Sequence, residues 1–251
     1  MPLERPGFKP NLKANLASTE SKKLFIKIPA GSSMLFRFYH PASLDPVTGE
    51  PISIFYHVAK HYGLLDEDGG GFTCADLAVH GTPETGRDDY IAKVSTVLME
   101  HNKKKSPLWV IGDKISTSHG YNAAVEVAEK HDTKFAYRGP MILGLPLTGA
   151  RAVLSVEQAA DMAGEASPFD LDKGFNIMIT NHGKQPWYEA QRAGNPVSLD
   201  VIKPGWADTY ITDLPAKVNV RVLNYEEQRA VLQRTYANEI DWDMMQSEFG
   251  L

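Results

Sequence analysis

The chain has 251 residues, the length of one large domain or of one domain with a subdomain. A hydrophobic fraction of 43% and a charged fraction of 23% are ordinary for a globular chain. A single cysteine, Cys74, excludes an intrachain disulfide framework. Lys plus Arg is 26 and Asp plus Glu is 31, giving −5. That balance excludes a globally basic nucleic-acid coat and leaves room for a local basic stripe.

No apolar run approaches the ~18 residues of a membrane span. The N-terminal segment lacks the apolar core of a secretory signal. Charge is uneven along the chain. Residues 1–23 carry five basic side chains against two acids, net +3. Residues 222–251 carry six acids against Arg229 and Arg234, net −4. A basic arm at one end and an acidic, aromatic tail at the other is a dipolar layout.

In chain order, residues 1–22 hold three prolines and few apolar side chains, and read as an irregular arm. Residues 24–28 and 33–39 alternate and are β-rich, so they predict a hairpin about Pro29–Ser32. Residues 51–62 continue as a strand. Residues 63–89 are rich in Gly and Asp and read as a long loop or small subdomain. Residues 90–102 fit either a helix or a strand. Residues 106–115 read as a strand, and the Ala- and Glu-rich 122–131 as a helix. Residues 133–139 return to strand. Ser155 and Gln158 have capping-box spacing and predict a helix over 155–166. Residues 174–180 and 187–193 predict two strands joined at Asn181–Lys184. Residues 197–202 and 216–223 are strand-like. Residues 224–237 close as an amphipathic helix, with Tyr225, Leu232 and Tyr236 near one face. The pattern predicts a mainly β fold: an OB-type barrel with an inserted loop subdomain and a few helices. The expected domains are the arm 1–22, a core 23–222 with an insertion at about 63–102, and a C-terminal helix and tail over 223–251.

Motifs for catalysis are absent. There is no phosphate-binding G-x-x-x-x-G-K-[ST], no H-E-x-x-H and no G-x-S-x-G. His101-Asn102 alone does not make a nuclease. The expectation is therefore a non-enzyme. His57, His61, Cys74 and His80 crowd the acidic loop; a structural zinc wants four tetrahedrally placed N or S donors, but sites with a single Cys are uncommon in such loops.

The informative segments interleave cations with flat rings. His101-Asn102 is followed by Lys103, Lys104 and Lys105, then Trp109. Arg37 lies among Phe36, Phe38 and Tyr39. Lys60 and Tyr62 neighbour Tyr56, His57 and His61. Lys134, Phe135, Tyr137 and Arg138 follow one another, and Trp187, Tyr188 and Arg192 form a late example. Phosphates favour flexible cations and bases favour flat apolar faces. The residues expected to bind nucleic acid are Arg37, Lys60, Tyr62, Lys103, Lys104, Lys105, Trp109, Tyr137, Arg138 and Tyr188. The competing reading makes the aromatics core and the lysines a solvated turn.

Taken in order, these segments resemble the phage single-stranded DNA-binding proteins of the T-even type, the helix-destabilising proteins. The resemblance covers roughly residues 24–200. It is carried by Phe36-Arg37-Phe38 with Pro41, by Lys103-Lys-Lys-Ser106 with Trp109-Val-Ile111, and by Lys134-Phe-Ala-Tyr-Arg-Gly139. Pro168-Phe-Asp170, Gly174, Ile177-Met-Ile179, Gly183 and Tyr188 complete it. Zinc-binding members place a His thirteen residues before a Cys, as His61 and Cys74 stand here. The two further ligand positions are Glu84 and Arg87, and Arg87 cannot ligate, so the expected zinc site is degenerate. A mixed His61/Cys74/His80/Glu84 set is the remaining way to hold the ion, and no cofactor is expected.

The resemblance implies an OB-type fold and sequence-tolerant coating of single-stranded DNA in phage replication and recombination, inside the host cytoplasm. It also implies cooperative self-association through the basic arm and docking of replication partners by the tail. One alternative is an adaptor that recruits a DNA or RNA polymerase through residues 239–251, whose acids are mixed with Trp242, Met244, Met245 and Phe249. Another is a structural or assembly protein of a virion. The competing reading of the tail is a helix packed on its own domain.

Overall fold

The computed structural model describes residues 24–39, 44–50, 52–131, 134–202, 204 and 213–251. The basic arm lies outside them. The described strands form a mixed β-sheet fold with several helices. The chain divides into two compact units, Met1–Pro41 with Ala123–Thr212, and Ala42–Asn122 with Asp213–Leu251. The second extends past the expected insertion on both sides, over 42–122, and also takes in the C-terminal helices.

The first unit is built on a sheet. Strands β1 (Phe25–Ile26), β2 (Ser32–Phe38), β5 (Ser118–His131), β6 (Lys134–Leu145), β7 (Asn176–Asn181) and β8 (Tyr188–Ala193) lie in the order β1-β6-β5-β2-β7-β8. β1 runs parallel to β6, while β2 is antiparallel to both β5 and β7. The expected β1–β2 hairpin is therefore corrected. The turn at Pro29–Ser32 exists, held by the Ser32 N–H and hydroxyl on the Pro29 carbonyl. It delivers β2 between β5 and β7 rather than back against β1. Phe36, Phe38, Val125, Ile142, Ile177 and Ile179 are buried there. Helix α4 (Leu147–Met162) packs on β8. It starts eight residues before the predicted capping box, and Ser155 instead bonds the Ala152 carbonyl within the helix. The β7–β8 hairpin is as predicted.

β5 corrects the prediction of a helix over 122–131. Asn122 to Ala128 are all buried. A strand covered on both faces reads as a continuous run with no alternation, and its alanines then mimic a helix.

In the second unit, β3 (Tyr56–Leu65) pairs with β4 (Gly71–Ala75) and with the first residues of β5. Short helix α1 (Leu77–His80) follows, then α2 (Tyr90–Glu100) and α3 (Pro107–Ile115). α3 stands where a strand was predicted. Ser106 caps it on the Trp109 N–H with Pro107 in the first turn, a start signal stronger than the β-preference of Trp109-Val-Ile. Gly112 lets α3 approach α2 closely: a Cβ there would lie 3.0 Å from Leu98 Cβ.

α5 (Leu199–Ile202) in the first unit replaces the predicted strand 197–202, and α6 (Leu214–Val218) in the second covers the start of the predicted strand 216–223, within which Arg221 forms a parallel bridge to Cys74. Asp213 caps α6 and Pro215 opens it, which local β-propensity does not weigh. α7 (Tyr225–Thr235) is as predicted and carries the Asn224/Glu227 capping box. α8 (Trp242–Phe249) folds the tail onto its own unit. Met245 is 0% and Leu251 7% exposed, and Trp242, Met244 and Phe249 pack against the same cluster as Leu98, Ile115 and Leu232.

Candidate nucleic-acid interface

The predicted residues are shared between the units. In the second unit β3 carries Lys60 and Tyr62 two residues apart, hence on one face. The Lys60 Nζ lies 5.2 Å from the Tyr62 ring centroid, and Tyr62 is 42% exposed. Beyond it Gly63 has φ +76 at a bulge, and a Cβ there would meet Lys114 Cε at 2.7 Å. Tyr62, Leu65, Phe72, Lys114 and Tyr236 line a groove of ≈ 550 Å³. The Lys114 Nζ sits 5.8 Å from the Tyr236 ring, whose hydroxyl donates to the Gly63 carbonyl.

Lys103, Lys104 and Lys105 are exposed on the turn leading into α3. Lys105 takes φ 69, and the Ser106 N–H closes the turn on the Lys103 carbonyl. The Lys104 Nζ stands 5.9 Å from the half-buried Trp109 ring. Of the three lysines Lys104 thus stands beside Trp109, and the aromatic segment they lead into is a helix rather than the predicted strand.

In the first unit Arg37 is not available to phosphate. It is 0% exposed, and its Nη1 donates to the Pro168 carbonyl at 2.7 Å and its Nη2 to the Asp170 carbonyl. Burial lowers its pKa to about 10. Tyr137 is half-buried with its hydroxyl against the Asn176 amide. Arg138 is exposed, with Glu129 at 3.8 Å. Tyr188 is half-buried beside Trp187, which is 47% exposed. Both line a groove of ≈ 510 Å³ with Ala30, Pro146 and Asn181.

Sequence reasoning missed one ring cluster. His119 and Tyr121 share a face of β5, with Tyr121 opposite His57 of β3. The His57 and Tyr121 rings stack at 4.8 Å, and Phe55 meets Tyr121 edge-on at 6.4 Å. His57 Nε2 and His119 Nδ1 lie 3.0 Å apart and share a hydrogen bond. Burial, then its neighbour His119, lowers the His57 pKa. The alternation Ser118-His-Gly-Tyr121 was the available signal, hidden by reading the following segment as a helix.

The mixed zinc set does not converge. Cys74 lies opposite His61 across β3–β4, with its thiol pushed up to about 12 by burial. His80 Nε2 accepts the Ala59 N–H, and Glu84 accepts from the Thr82 hydroxyl in an exposed turn. These residues do not fit the ion that the resemblance implies.

No protein-family model matches the chain, and no curated protein does.

Proposed function

We propose that the protein binds single-stranded DNA with little sequence readout and coats it during phage replication and recombination. The carrying observation is the pairing of an accessible ring with a lysine in each of two places, Lys60 with Tyr62 and Lys104 with Trp109. A ring face takes a base, and the adjoining ammonium takes the phosphate beside it. Tyr188 with Trp187 offers a further apolar platform. The same reading takes the strands as an OB-type core, for which the antiparallel β5-β2-β7-β8 run is the support. Lys60, Lys103, Lys104, Lys105 and Arg138 are the phosphate partners in this reading. Tyr62, Trp109, Tyr137 and Tyr188 are the stacking rings.

The test is titration with oligo-dT, following tryptophan quenching at several salt concentrations, with duplex DNA as control. Saturable quenching that weakens with salt is expected, together with weak binding to duplex. Lys104→Ala should lower the salt slope by about 0.7. Absence of binding to both DNAs at low salt would overturn the reading. Recruitment of a polymerase by residues 239–251 has less support, because the apolar side chains of that segment are packed in their own unit.

A further inference from the structure

We propose that His61, Asp76 and Asp89, all in the second unit, bind a divalent transition-metal cation of zinc's size. This donor set shares only His61 with the His61/Cys74/His80/Glu84 set, which does not converge.

His61 is 0% exposed, and its Nδ1 lies 2.8 Å from the Ile115 carbonyl. A carbonyl only accepts, so Nδ1 carries a proton and Nε2 is left for another partner. Nε2 has no hydrogen bond of acceptable geometry. Its nearest acidic oxygens are Asp89 Oδ1 at 3.2 Å and Asp76 Oδ2 at 3.9 Å. The 3.2 Å contact is close enough for an ion pair but misdirected for an N–H donor.

Zinc–nitrogen and zinc–oxygen bonds of about 2.0–2.2 Å in a tetrahedron put neighbouring donor atoms about 3.3–3.5 Å apart. The two separations from His61 Nε2, 3.2 and 3.9 Å, lie on either side of that range, and all three donor atoms lie within 4.8 Å of one another. Imidazole with carboxylates is a borderline donor set, suited to zinc, cobalt or manganese rather than calcium.

The outer shell is already in place. Asp76 and Asp89 are the N-caps of α1 and α2, with their carboxylates held by the Ala78 and Ala92 N–H groups. Asp76 Oδ2 also accepts the Thr117 hydroxyl, and Asp89 Oδ2 accepts the Leu77 N–H and the Gln228 amide. Each ligating oxygen keeps a lone pair for the cation while its carboxylate stays fixed, the arrangement by which surrounding groups orient metal ligands. The Asp76 and Asp89 side chains are only 6% and 3% exposed. A divalent ion would neutralise two buried carboxylates whose desolvation is otherwise costly. Three protein donors leave a fourth position for water.

The test is a titration of chelator-treated full chain with Co2+ and Zn2+, followed by metal analysis after dialysis. Equimolar retention is expected, with the visible d–d absorption of tetrahedral Co2+ and a rise in the thermal midpoint with either metal. Asp76→Asn keeps the side chain's shape and should weaken binding by about tenfold or more. Sub-stoichiometric metal with no d–d band in the folded wild-type protein would overturn the proposal. It would leave His61 as an imidazolium between the two carboxylates. Unchanged Co2+ affinity in a folded Asp76→Asn protein would overturn it too. If that variant does not fold, the wild-type stoichiometry and spectrum decide alone.

Discussion

Gly174 leaves no room for a side chain beside Arg37: a Cβ added there would lie 2.5 Å from Arg37 Nη1. The guanidinium in turn holds the Pro168 and Asp170 carbonyls. Gly174→Ala should therefore destabilise the protein by about 1–3 kcal/mol, read from the urea midpoint. Arg37→Met leaves the buried Pro168 carbonyl without its partner, while the Asp170 carbonyl keeps the Gly174 N–H, and should cost about 1–3 kcal/mol. In whatever fraction still folds, the salt slope of DNA binding should match wild type. A slope reduced as in a phosphate-contacting lysine variant would return Arg37 to the interface.

Tyr62 and Tyr56 separate stacking from packing on one strand. Tyr62 is 42% exposed, Tyr56 only 7%. Tyr62→Ala should lower oligo-dT affinity by about 1–3 kcal/mol. Its unfolding free energy should stay within about 0.5 kcal/mol of wild type. Tyr56→Ala should show the reverse pattern, with a large stability loss. Equal losses of stability in the two variants would remove Tyr62 from the stacking set.

His57 makes stability sensitive to acid. Burial and the neighbouring His119 lower its pKa below the ordinary 6.5. Between its lowered folded value and 6.5 the unfolded chain binds more protons than the folded one. Its contribution is thus complete above about 6.5 and is lost as pH falls through the lowered folded value. Urea midpoints should decline across that window. Burial also lowers the pKa of His80, so His57→Phe, which keeps a ring against Tyr121, should make the decline shallower without abolishing it, and an unchanged profile would assign the sensitivity to His80.

Met245 decides what the tail does. It is 0% exposed, whereas Glu248 is on the surface. Met245→Ala should cost about 2–5 kcal/mol, and Glu248→Lys should leave stability nearly unchanged. Circular-dichroism melts check both. Stability indifferent to Met245→Ala would mean that α8 is not docked and is available to a partner.

Where side-chain periodicity and local caps agreed, the sequence was legible. The β7–β8 hairpin and α7 are such cases, as is β3, whose start was set a few residues early. Burial on both faces erased the alternation that would have marked β5 as a strand. In α3 the cap at Ser106 and Pro107 competed with a β-prone Trp-Val-Ile, and packing of Gly112 on α2 favoured the helix. Part of the candidate interface was readable because Lys60 with Tyr62 and Lys104 with Trp109 are close in sequence. The His61–Asp76–Asp89 cluster was not. Its acids sat in a segment that reads as a long loop or small subdomain, and only their places at the starts of α1 and α2 carry them inside. Arg37 was misassigned for a related reason, since its carbonyl partners lie more than a hundred residues away.

The second unit is assembled from two separated stretches, 42–122 and 213–251. During synthesis its first stretch emerges long before Gln228 exists to meet Asp89, or Leu232 and Met245 to complete its core. The first unit has all its residues once position 212 is made. Domains fold as units, in the order in which they are completed. The unit that holds Lys104, Trp109 and Tyr62 therefore waits with its apolar cluster open, the interval in which a nascent chain most needs a chaperone.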